Sequence, residues 1–435
     1  MALTKAGYRP RLVDGQILCD LGLFGAVSLE GPRGCGKTWT ALNHANSVVY
    51  LHEPGAGSQR SIHDTCEVAR DDPALILKGK KRPVLIAGWP EVPTIWDVVR
   101  SISTRAQEKG QYLLTGSQAP WLGSLVSGRT ATDIGRVHMR TLSLYESGQS
   151  SGAISLSKLF SGTELKPAFS KLSPELLVEY CVRGGWPEAF DTSQPQIDAG
   201  IPPGRFIAQA AKTDLAKKVC PRRTSEVLAH VLAAVARINS PPVTHKSIVD
   251  DVQSRFGGVT RQTIDDCLAV LRRLYVIELI EPWSGELKRG LQLNNTPKLI
   301  LADPSLAVSA LRARPAYIAG NLHILGGLFE NLVLRDLLIY AESIGATVRH
   351  YHDAKGRGLE IPAIVELGSQ WAGFEINLDD SKIDEAADNL TLLRGRLQHQ
   401  GIPSPTFLCV ISSGRSAYVR EDDGVFVVPI DCLAP

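Results

Sequence analysis

The stretch that decides the fold is GPRGCGKT, residues 31–38, which fits the pattern G-x-x-x-x-G-K-[ST]. It follows the apolar run AVSLE, residues 26–30, and a helix is predicted to begin at Lys37. Glycines at a strand-to-helix turn let backbone N–H groups point at phosphate oxygens, and the helix N-terminus adds partial positive charge. The sequence therefore predicts a nucleotide-binding loop formed by Gly31, Pro32, Arg33, Gly34, Cys35, Gly36, Lys37 and Thr38.

Three polar residues have specific predicted contacts in this nucleotide site. Lys37 is placed to reach the β- and γ-phosphates, and the Thr38 hydroxyl is placed to ligate Mg²⁺. Ser117 follows a later apolar strand, where a polar side chain can contact the γ-phosphate or a water molecule. The cofactors implied by the loop are ATP or ADP together with Mg²⁺.

The residues around the loop alternate between strand and helix patterns. Further apolar strands are predicted at SVVYLH (47–52), VLIAG (84–88), YLLTG (112–116) and RVHMRTLSL (136–144). Strands that alternate with helices indicate an α/β fold with a mostly parallel sheet covered on both faces. We assign residues 1–150 to this P-loop domain.

Three further regions are predicted after residue 150. Residues 151–222 are mainly helical and are interpreted as a lid or linker. Residues 223–295 contain a helix, a Gly-Gly turn, an amphipathic helix and a strand, which is the pattern of a winged helix-turn-helix. Residues 296–435 are predicted to form an α/β domain with a mixed sheet, in which a long helix at 326–345 precedes strands at 347–352, 359–366 and 371–377.

The acids that support nucleotide hydrolysis are missing from their expected place. The apolar strand Val84–Ile86 is the one that normally ends in acids that hold the metal's water shell and polarise the attacking water. Ala87 and Gly88 stand there and can do neither. Glu91, three residues on, is the alternative acid, so an active enzyme that uses Glu91 stays open.

Two arginines are candidates for stabilising charge during hydrolysis. Arg129 and Arg136 lie in SGRTATDIGRVHMR. Either could be an arginine finger supplied by a neighbouring subunit, and a surface salt bridge is an equally open reading for each. An arginine finger would require a homo-oligomer.

The overall charge and cysteine pattern restrict the remaining functions. The net charge is +2, so nucleic-acid binding would depend on a local patch rather than on the field of the whole protein. Eight cysteines are scattered without a C-x-x-C pair, which indicates reduced thiols and a cytoplasmic protein. No apolar run reaches the roughly 18 residues that a membrane helix needs.

Several motifs occur in an order that resembles a known family. They are GYRPRLVD, GPRGCGKTWTA, W-x-x-V-P-x-I-W-D, LLTGS, GRVHMRTLSLYESG, RGGWPEAF, TPKLILADPSL and GGLFENLV. The chain resembles the bacterial and archaeal AAA-type ATPases that carry a C-terminal domain of unknown function with a nuclease-like fold. In that family the third strand usually reads L-I-D-E-W-Q, whereas this chain reads LIAGWP. The resemblance leaves open whether the turn at RGGWPE is structural or senses nucleotide.

The resemblance also implies a PD-(D/E)XK nuclease-like domain, whose site needs acids to hold a metal and a lysine. Glu330 matches the helix acid and Glu375 the acid of the acid-x-Lys pair. Pro362 stands where an Asp is expected and Asn377 where the Lys is expected, so this site is predicted to be degenerate. Glu360 is expected to face away from position 362.

Any DNA contact is predicted to come from the winged helix. Its second helix begins with Arg261 and Gln262, and Lys288 and Arg289 lie in the expected wing. The sequence thus predicts an ATP-binding, oligomeric regulator associated with double-stranded DNA, with degenerate ATPase and nuclease-like sites and no membrane contact. A protein-interaction scaffold that does not bind DNA is the other alternative.

Overall fold

The computed structural model describes residues 7–51, 59–116, 134–190, 204, 224–237, 245–283, 296–353 and 358–435. Ser117, Arg129, Lys288 and Arg289 lie outside these residues. The chain divides into a first unit, residues 1–141 together with 273–275, and a second unit, residues 142–272 together with 276–435. The finer division into four domains stays a prediction.

A five-stranded parallel sheet forms the centre of the first unit. Its order is β2-β3-β4-β1-β5, and the α/β fold with a parallel sheet is therefore confirmed. The strands are β1 Ala26–Glu30, β2 Ser47–Tyr50, β3 Val84–Ala87, β4 Tyr112–Gly116 and β5 Ile134–His138.

The fifth strand ends at His138 and does not continue to Leu144 as the apolar run suggested. The Met139 N–H still donates to the Glu30 carbonyl. The next two carbonyls, those of Arg140 and Thr141, accept hydrogen bonds from the buried Arg11 guanidinium instead. A side chain from a distant segment thus replaces the sheet partner.

Helices cover both faces of this sheet. They are α1 Val13–Leu23, α2 Lys37–Leu42, α3 Gln59–Asp71 and α4 Thr94–Ala106. Val27 and Leu29 of β1 share a core with Ile17 of α1 and Ala41 of α2, whereas Ala26 shares a core with residues of α4. Every residue of β1, β3 and β4 is buried, as expected for parallel strands that are covered twice.

The second unit begins with short elements and continues with helices. A two-stranded antiparallel sheet, β8 Ile277–Ile280 with β9 Lys298–Leu301, comes late in this part of the chain. The earlier elements are β6 Ile154–Ser155, α5 Leu156–Phe160, β7 Ala168–Phe169, α6 Pro174–Arg183, α7 Thr224–Arg237, α8 His245–Arg255 and α9 Arg261–Arg273.

A seven-stranded mixed sheet completes this unit, in the order β10-β11-β12-β13-β15-β14-β7. Its further strands are β10 Thr347–His352, β11 Glu360–Leu367, β12 Gln370–Asn377, β13 Phe407–Ser412, β14 Ser416–Val419 and β15 Phe426–Pro429. The final strand β16, Leu433–Ala434, pairs with β6.

Four helices accompany the mixed sheet. They are α10 Pro304–Leu311, α11 Pro315–Ala319, α12 Leu322–Ser343 and α13 Ile383–Gln398. The long α12 packs against β10, β11 and β12, and α13 packs against β12 and β13. No helix in the described ranges is both long enough and apolar enough to cross a lipid bilayer.

A buried ionic network on α12 holds distant segments of the second unit together. The Arg335 side chain is 2% exposed and donates to Asp303 at 3.0 Å and to Asp336 at 2.7 Å. Burial disfavours the charged guanidinium, but the two carboxylates outweigh this effect and raise the pKa of Arg335. Each carboxylate is also bound by backbone: Asp303 accepts from the Gly185 N–H and Asp336 from the Leu144 N–H.

The RGGWPE turn, residues 183–188, is part of this network. A Cβ atom at Gly184 would lie 2.1 Å from Asp303 Oδ1, and one at Gly185 would lie 2.1 Å from the Leu142 carbonyl oxygen. The Trp186 indole N–H donates to the Ser305 hydroxyl at 2.8 Å. These contacts favour the structural role for this turn over the nucleotide-sensing one.

We predict that Arg335→Met destabilises the second unit by about 3–5 kcal/mol, because it leaves two buried carboxylates without their partner. Chemical denaturation followed by circular dichroism measures this loss. Arg314→Met removes an exposed arginine and should change stability by no more than about 0.5 kcal/mol. Equal stability of the Arg335 and Arg314 variants would contradict the structural role of the network.

Candidate nucleotide-binding site

The 31–38 loop connects β1 to α2, as the motif requires. Gly31, Gly34 and Gly36 all have positive φ angles, of 152°, 87° and 103°. Gly31 is restricted further, since a Cβ atom there would lie 2.0 Å from the Met139 carbonyl oxygen. The loop conformation therefore depends on glycine at these positions.

Lys37 lies over the loop at the first position of α2. Its side-chain nitrogen donates to the carbonyl oxygens of Gly31 at 2.8 Å and of Pro32 at 2.7 Å. The residue is 7% exposed, and burial lowers the pKa of its ammonium group. Thr38 follows it and is half-buried at the start of the helix. Lys37 and Thr38 therefore occupy the first two positions of α2, and their contacts with phosphate and Mg²⁺ stay predictions.

A side chain of the N-terminal segment holds the 31–38 loop through hydrogen bonds to the backbone. The Arg11 guanidinium is buried and donates to the Cys35 carbonyl at 2.8 Å and to the Arg140 carbonyl at 2.8 Å. It therefore ties the loop to the segment after β5. Asp14 accepts from the Tyr8 hydroxyl at 2.8 Å and contacts His44 at 2.9 Å. Sequence reasoning used GYRPRLVD only as part of a resemblance and missed this role.

The end of β3 lies on the same face of the sheet as the loop helix. Ala87 is buried in the core that contains Leu29, Cys35 and Ala41. Gly88 follows with φ 84°, and its N–H donates to the Thr115 carbonyl at 2.9 Å. The two positions where the sequence pattern leads one to expect acids are thus occupied by Ala87 and by Gly88, which has a positive φ angle.

The other predicted catalytic residues are separated from each other. Glu91 is exposed in a short 3₁₀ helix, Trp89–Glu91, and its charge acts on the Cys66 thiol of α3. Arg136 is half-buried on β5, opposite Ser28 in the sheet register, with its guanidinium carbon 5.8 Å from the centre of the Trp96 ring. The catalytic roles of Glu91 and Arg136 stay predictions.

Glu30 is a buried acid that sequence reasoning missed, although it stands directly before the loop at the end of an apolar strand. It is 3% exposed, and its Oε2 accepts a hydrogen bond from the Tyr275 hydroxyl at 3.0 Å. Burial raises the pKa of Glu30 to about 7, while the positive charges of Arg136 and Lys37 act in the opposite direction.

Three buried polar atoms at this edge of the sheet have no hydrogen-bond partner among the described residues. They are Glu30 Oε1 at the end of β1, Thr115 Oγ1 at the end of β4 and Trp89 Nε1 after β3. Buried polar atoms are nearly always paired in native proteins, and exceptions often mark sites for water, ions or ligands. The carboxyl edge of the parallel sheet is therefore suited to a polar ligand.

A second group of charged residues lies in the second unit, where the nuclease-like site was predicted. Lys298 on β9 contacts Glu330 of α12 at 2.6 Å and Glu360 of β11 at 3.3 Å. These carboxylates raise the pKa of Lys298 against the opposing effect of its burial. Lys298 was not among the predicted site residues, because its strand lies some 30 residues before Glu330 in the chain.

Two expectations about β11 concern the direction of Glu360 and the presence of Pro362. Glu360 was expected to face away from position 362, although residues two apart on a regular strand share a face; the strand is irregular at this point, so the expectation stays a prediction. Pro362 lies where the register between β10 and β11 shifts, since Arg349 pairs with Ile364 but Tyr351 pairs with Ile361. A proline, which lacks an N–H donor, is tolerated at such a bulge.

Glu375 and Asn377 have different surroundings at the end of β12. Glu375 accepts from the Asn389 side chain at 3.2 Å, and burial raises its pKa to about 8, with a further contribution from the Glu330 charge. Asn377 donates to the Lys382 carbonyl at 3.2 Å and accepts from the Asp379 N–H at 3.1 Å. Asn377 thus stabilises the turn that follows the strand.

The predicted DNA-binding residues that the structure describes lie at the start of α9. Arg261 and Gln262 are both exposed. The Gln262 side chain donates to Asp266 at 2.9 Å, one turn along the helix.

Two family descriptions match parts of the chain after residue 173. Residues 174–317 match a domain of unknown function (DUF8612), and residues 325–433 match a domain of unknown function (DUF4143). The second match agrees with the C-terminal domain of unknown function that the sequence resemblance implied. Uncharacterized proteins of Mycobacterium tuberculosis and Mycobacterium bovis are each 24% identical over 357 residues, which is 80% of this chain and 69% of theirs.

Two solved structures from archaea are also similar. A Walker-type ATPase of Pyrococcus abyssi is 13% identical, with a TM-score of 0.42, over 72% of this chain and 98% of that chain. A signal transduction ATPase with numerous domains from Pyrococcus horikoshii, which has a tetratricopeptide repeat sensor, is 13% identical, with a TM-score of 0.26. That match covers 79% of this chain and 53% of the other.

We predict that Glu375 makes the second unit less stable as the pH rises. Its pKa of about 8 lies above the ordinary value of 4.5, so the folded state holds the proton more tightly and stability falls between those pH values. Glu375→Gln removes the titrating group. The loss of stability between pH 5 and pH 8 should therefore be smaller in this variant, by on the order of 2 kcal/mol after allowance for partial exposure of the side chain.

Urea denaturation at several pH values measures the dependence. Glu421→Gln, which changes an exposed acid, is the control and should keep the slope of the unmodified protein. Parallel pH curves for the Glu375 variant and the unmodified protein would contradict the prediction.

Proposed function

We propose that this protein binds ATP or ADP, together with Mg²⁺, at the 31–38 loop. The observation that carries this proposal is the glycine loop between β1 and α2, with Lys37 held at its mouth. Positive φ angles at three glycines and the Arg11 contact with Cys35 keep the loop in shape before a ligand arrives. Such preorganisation reduces the entropic cost of binding.

ATP turnover is slow in this proposal, and the protein acts as a nucleotide-binding regulator. Ala87 and Gly88 cannot hold the metal's water shell, and the exposed Glu91 lies near Cys66 of α3. The nuclease-like site is proposed to be inactive for a similar reason, since Lys298 neutralises two of its acids and Asn377 stabilises a turn.

DNA association and oligomer formation are further parts of the proposal. The order of α8, a Gly-Gly turn, α9 and the β8–β9 pair supports a winged helix. The exposed Arg261 and Gln262 at the start of α9 are available for a duplex. Fluorescence anisotropy with a short duplex at several salt concentrations tests this part, since phosphate contacts give a salt-dependent affinity. The homo-oligomer rests on the family resemblance.

We predict that Lys37→Ala weakens ATP binding at least tenfold, because the loop then lacks its charged contact with the β- and γ-phosphates. Isothermal titration calorimetry with Mg·ATP measures the affinity. Lys78→Ala removes an exposed lysine of the same unit and should bind as the unmodified protein does. Equal affinity for all three proteins would refute the nucleotide site.

We predict steady-state ATP turnover near background and an increase of at least tenfold in Ala87→Asp, which restores an acid on the face of the sheet that α2 covers. Gly88→Glu is the poorer substitution, because φ 84° at this position strains a side-chain-bearing residue by about 1–2 kcal/mol. Phosphate release measures turnover. Robust hydrolysis by the unmodified protein that disappears in Lys37→Ala would contradict the proposal that the catalytic site at the end of β3 is degenerate.

A further inference from the structure

We propose that Glu30 and Tyr275 form a proton-linked contact that regulates nucleotide affinity at the 31–38 loop. This inference rests on the proposed nucleotide binding and adds a means of regulating it. The site holds a carboxylate directly beside the phosphate loop, and a tyrosine from a distant part of the chain donates to that carboxylate.

Glu30 is placed to respond to the charge of a bound nucleotide. It is the last residue of β1, and the next residue, Gly31, accepts a hydrogen bond from Lys37 at 2.8 Å. Its carboxylate is nearly inaccessible to water, so nearby charges act on it with little screening. Among the residues that the structure describes, the positive charges that act on it are those of Lys37 at the start of α2 and Arg136 on β5.

Tyr275 has a left-handed backbone conformation, which is unfavourable for a residue with a side chain. Its φ angle is 58°, which costs a residue with a side chain about 1–2 kcal/mol. Its side chain is buried, its ring lies 5.3 Å from the His138 ring, and its hydroxyl donates to Glu30 at 3.0 Å. The segment 273–275 groups with the first unit, whereas the chain on both sides of it groups with the second.

Nucleotide binding should therefore be coupled to protonation of the Glu30 carboxylate. A triphosphate brings several negative charges toward the Glu30 carboxylate, and repulsion favours the protonated acid. The pKa of about 7 for Glu30 means that both forms are populated near neutral pH. A phenol donates more strongly to a carboxylate than to a neutral acid, so nucleotide binding weakens the contact with Tyr275. Conversely, a firm Tyr275 contact favours the carboxylate and lowers nucleotide affinity.

The affinity of the full chain for Mg·ATP tests this inference when it is measured from pH 6 to pH 8.5. The unmodified protein should bind about tenfold more weakly at the upper end, because Glu30 is then charged. Glu30→Gln should bind tightly with little pH dependence. Tyr275→Phe removes a hydrogen bond to the charged form, so the midpoint of the curve should move up by about one pH unit.

Two controls isolate the contact. Glu108→Gln and Tyr317→Phe make the same chemical changes at exposed positions, and both should follow the curve of the unmodified protein. His138 lies beside Tyr275, and any contribution from its titration would persist in Glu30→Gln.

Calorimetry of the unmodified protein in two buffers of different ionisation enthalpy measures proton uptake directly, and it serves even if a variant does not fold. Uptake of a proton near pH 7.5 supports the inference. Absence of uptake, or a Glu30→Gln curve with the slope of the unmodified protein, overturns it while nucleotide binding itself stands. Failure to bind nucleotide at any pH overturns the proposed function instead.

Discussion

The burial of the Arg335 guanidinium between Asp303 and Asp336 is the constraint on which the second unit depends. A charge removed from water must be paired and fully hydrogen-bonded. Here the two carboxylates that pair with it are themselves bound by the backbone of Gly185 and Leu144. One side chain on α12 therefore fixes the relative positions of residues 142–144, the RGGWPE turn and the start of α10. The same packing requires the two glycines of that turn, because the Asp303 carboxylate and the Leu142 carbonyl leave no room for a Cβ atom at either position.

The first unit uses a buried arginine in a different way. The Arg11 guanidinium donates to the carbonyl oxygens of Cys35, Arg140 and Thr141. These three residues lie outside the strands and helices of the first unit. The arginine thus ties the phosphate loop to the segment after β5 through hydrogen bonds that belong to neither a strand nor a helix. The proposed nucleotide site is consequently built by three segments, and its recognisable motif is the glycine loop.

Local patterns predicted the elements of the fold well, and long-range pairing limited the prediction of the sites. The glycine loop, the apolar strands and the helix after Lys37 follow from spacing that is visible within about ten residues. Lys298 could not be found in this way, because it meets Glu330 and Glu360 only after β9 and β11 have taken their places. Tyr275 and Glu30 are 245 residues apart, and no local pattern joins them. Pro362 shows the opposite case, since its missing N–H was a usable sign of a bulge but was interpreted only as the loss of a metal ligand.

The ammonium group of Lys298 gives the acidic cluster a counter-ion that is part of the chain. A dissolved metal ion neutralises carboxylates only to the extent that its concentration exceeds its dissociation constant. A lysine on a folded strand is part of the chain, so it neutralises part of the charge of Glu330 and Glu360 whatever the supply of divalent ions.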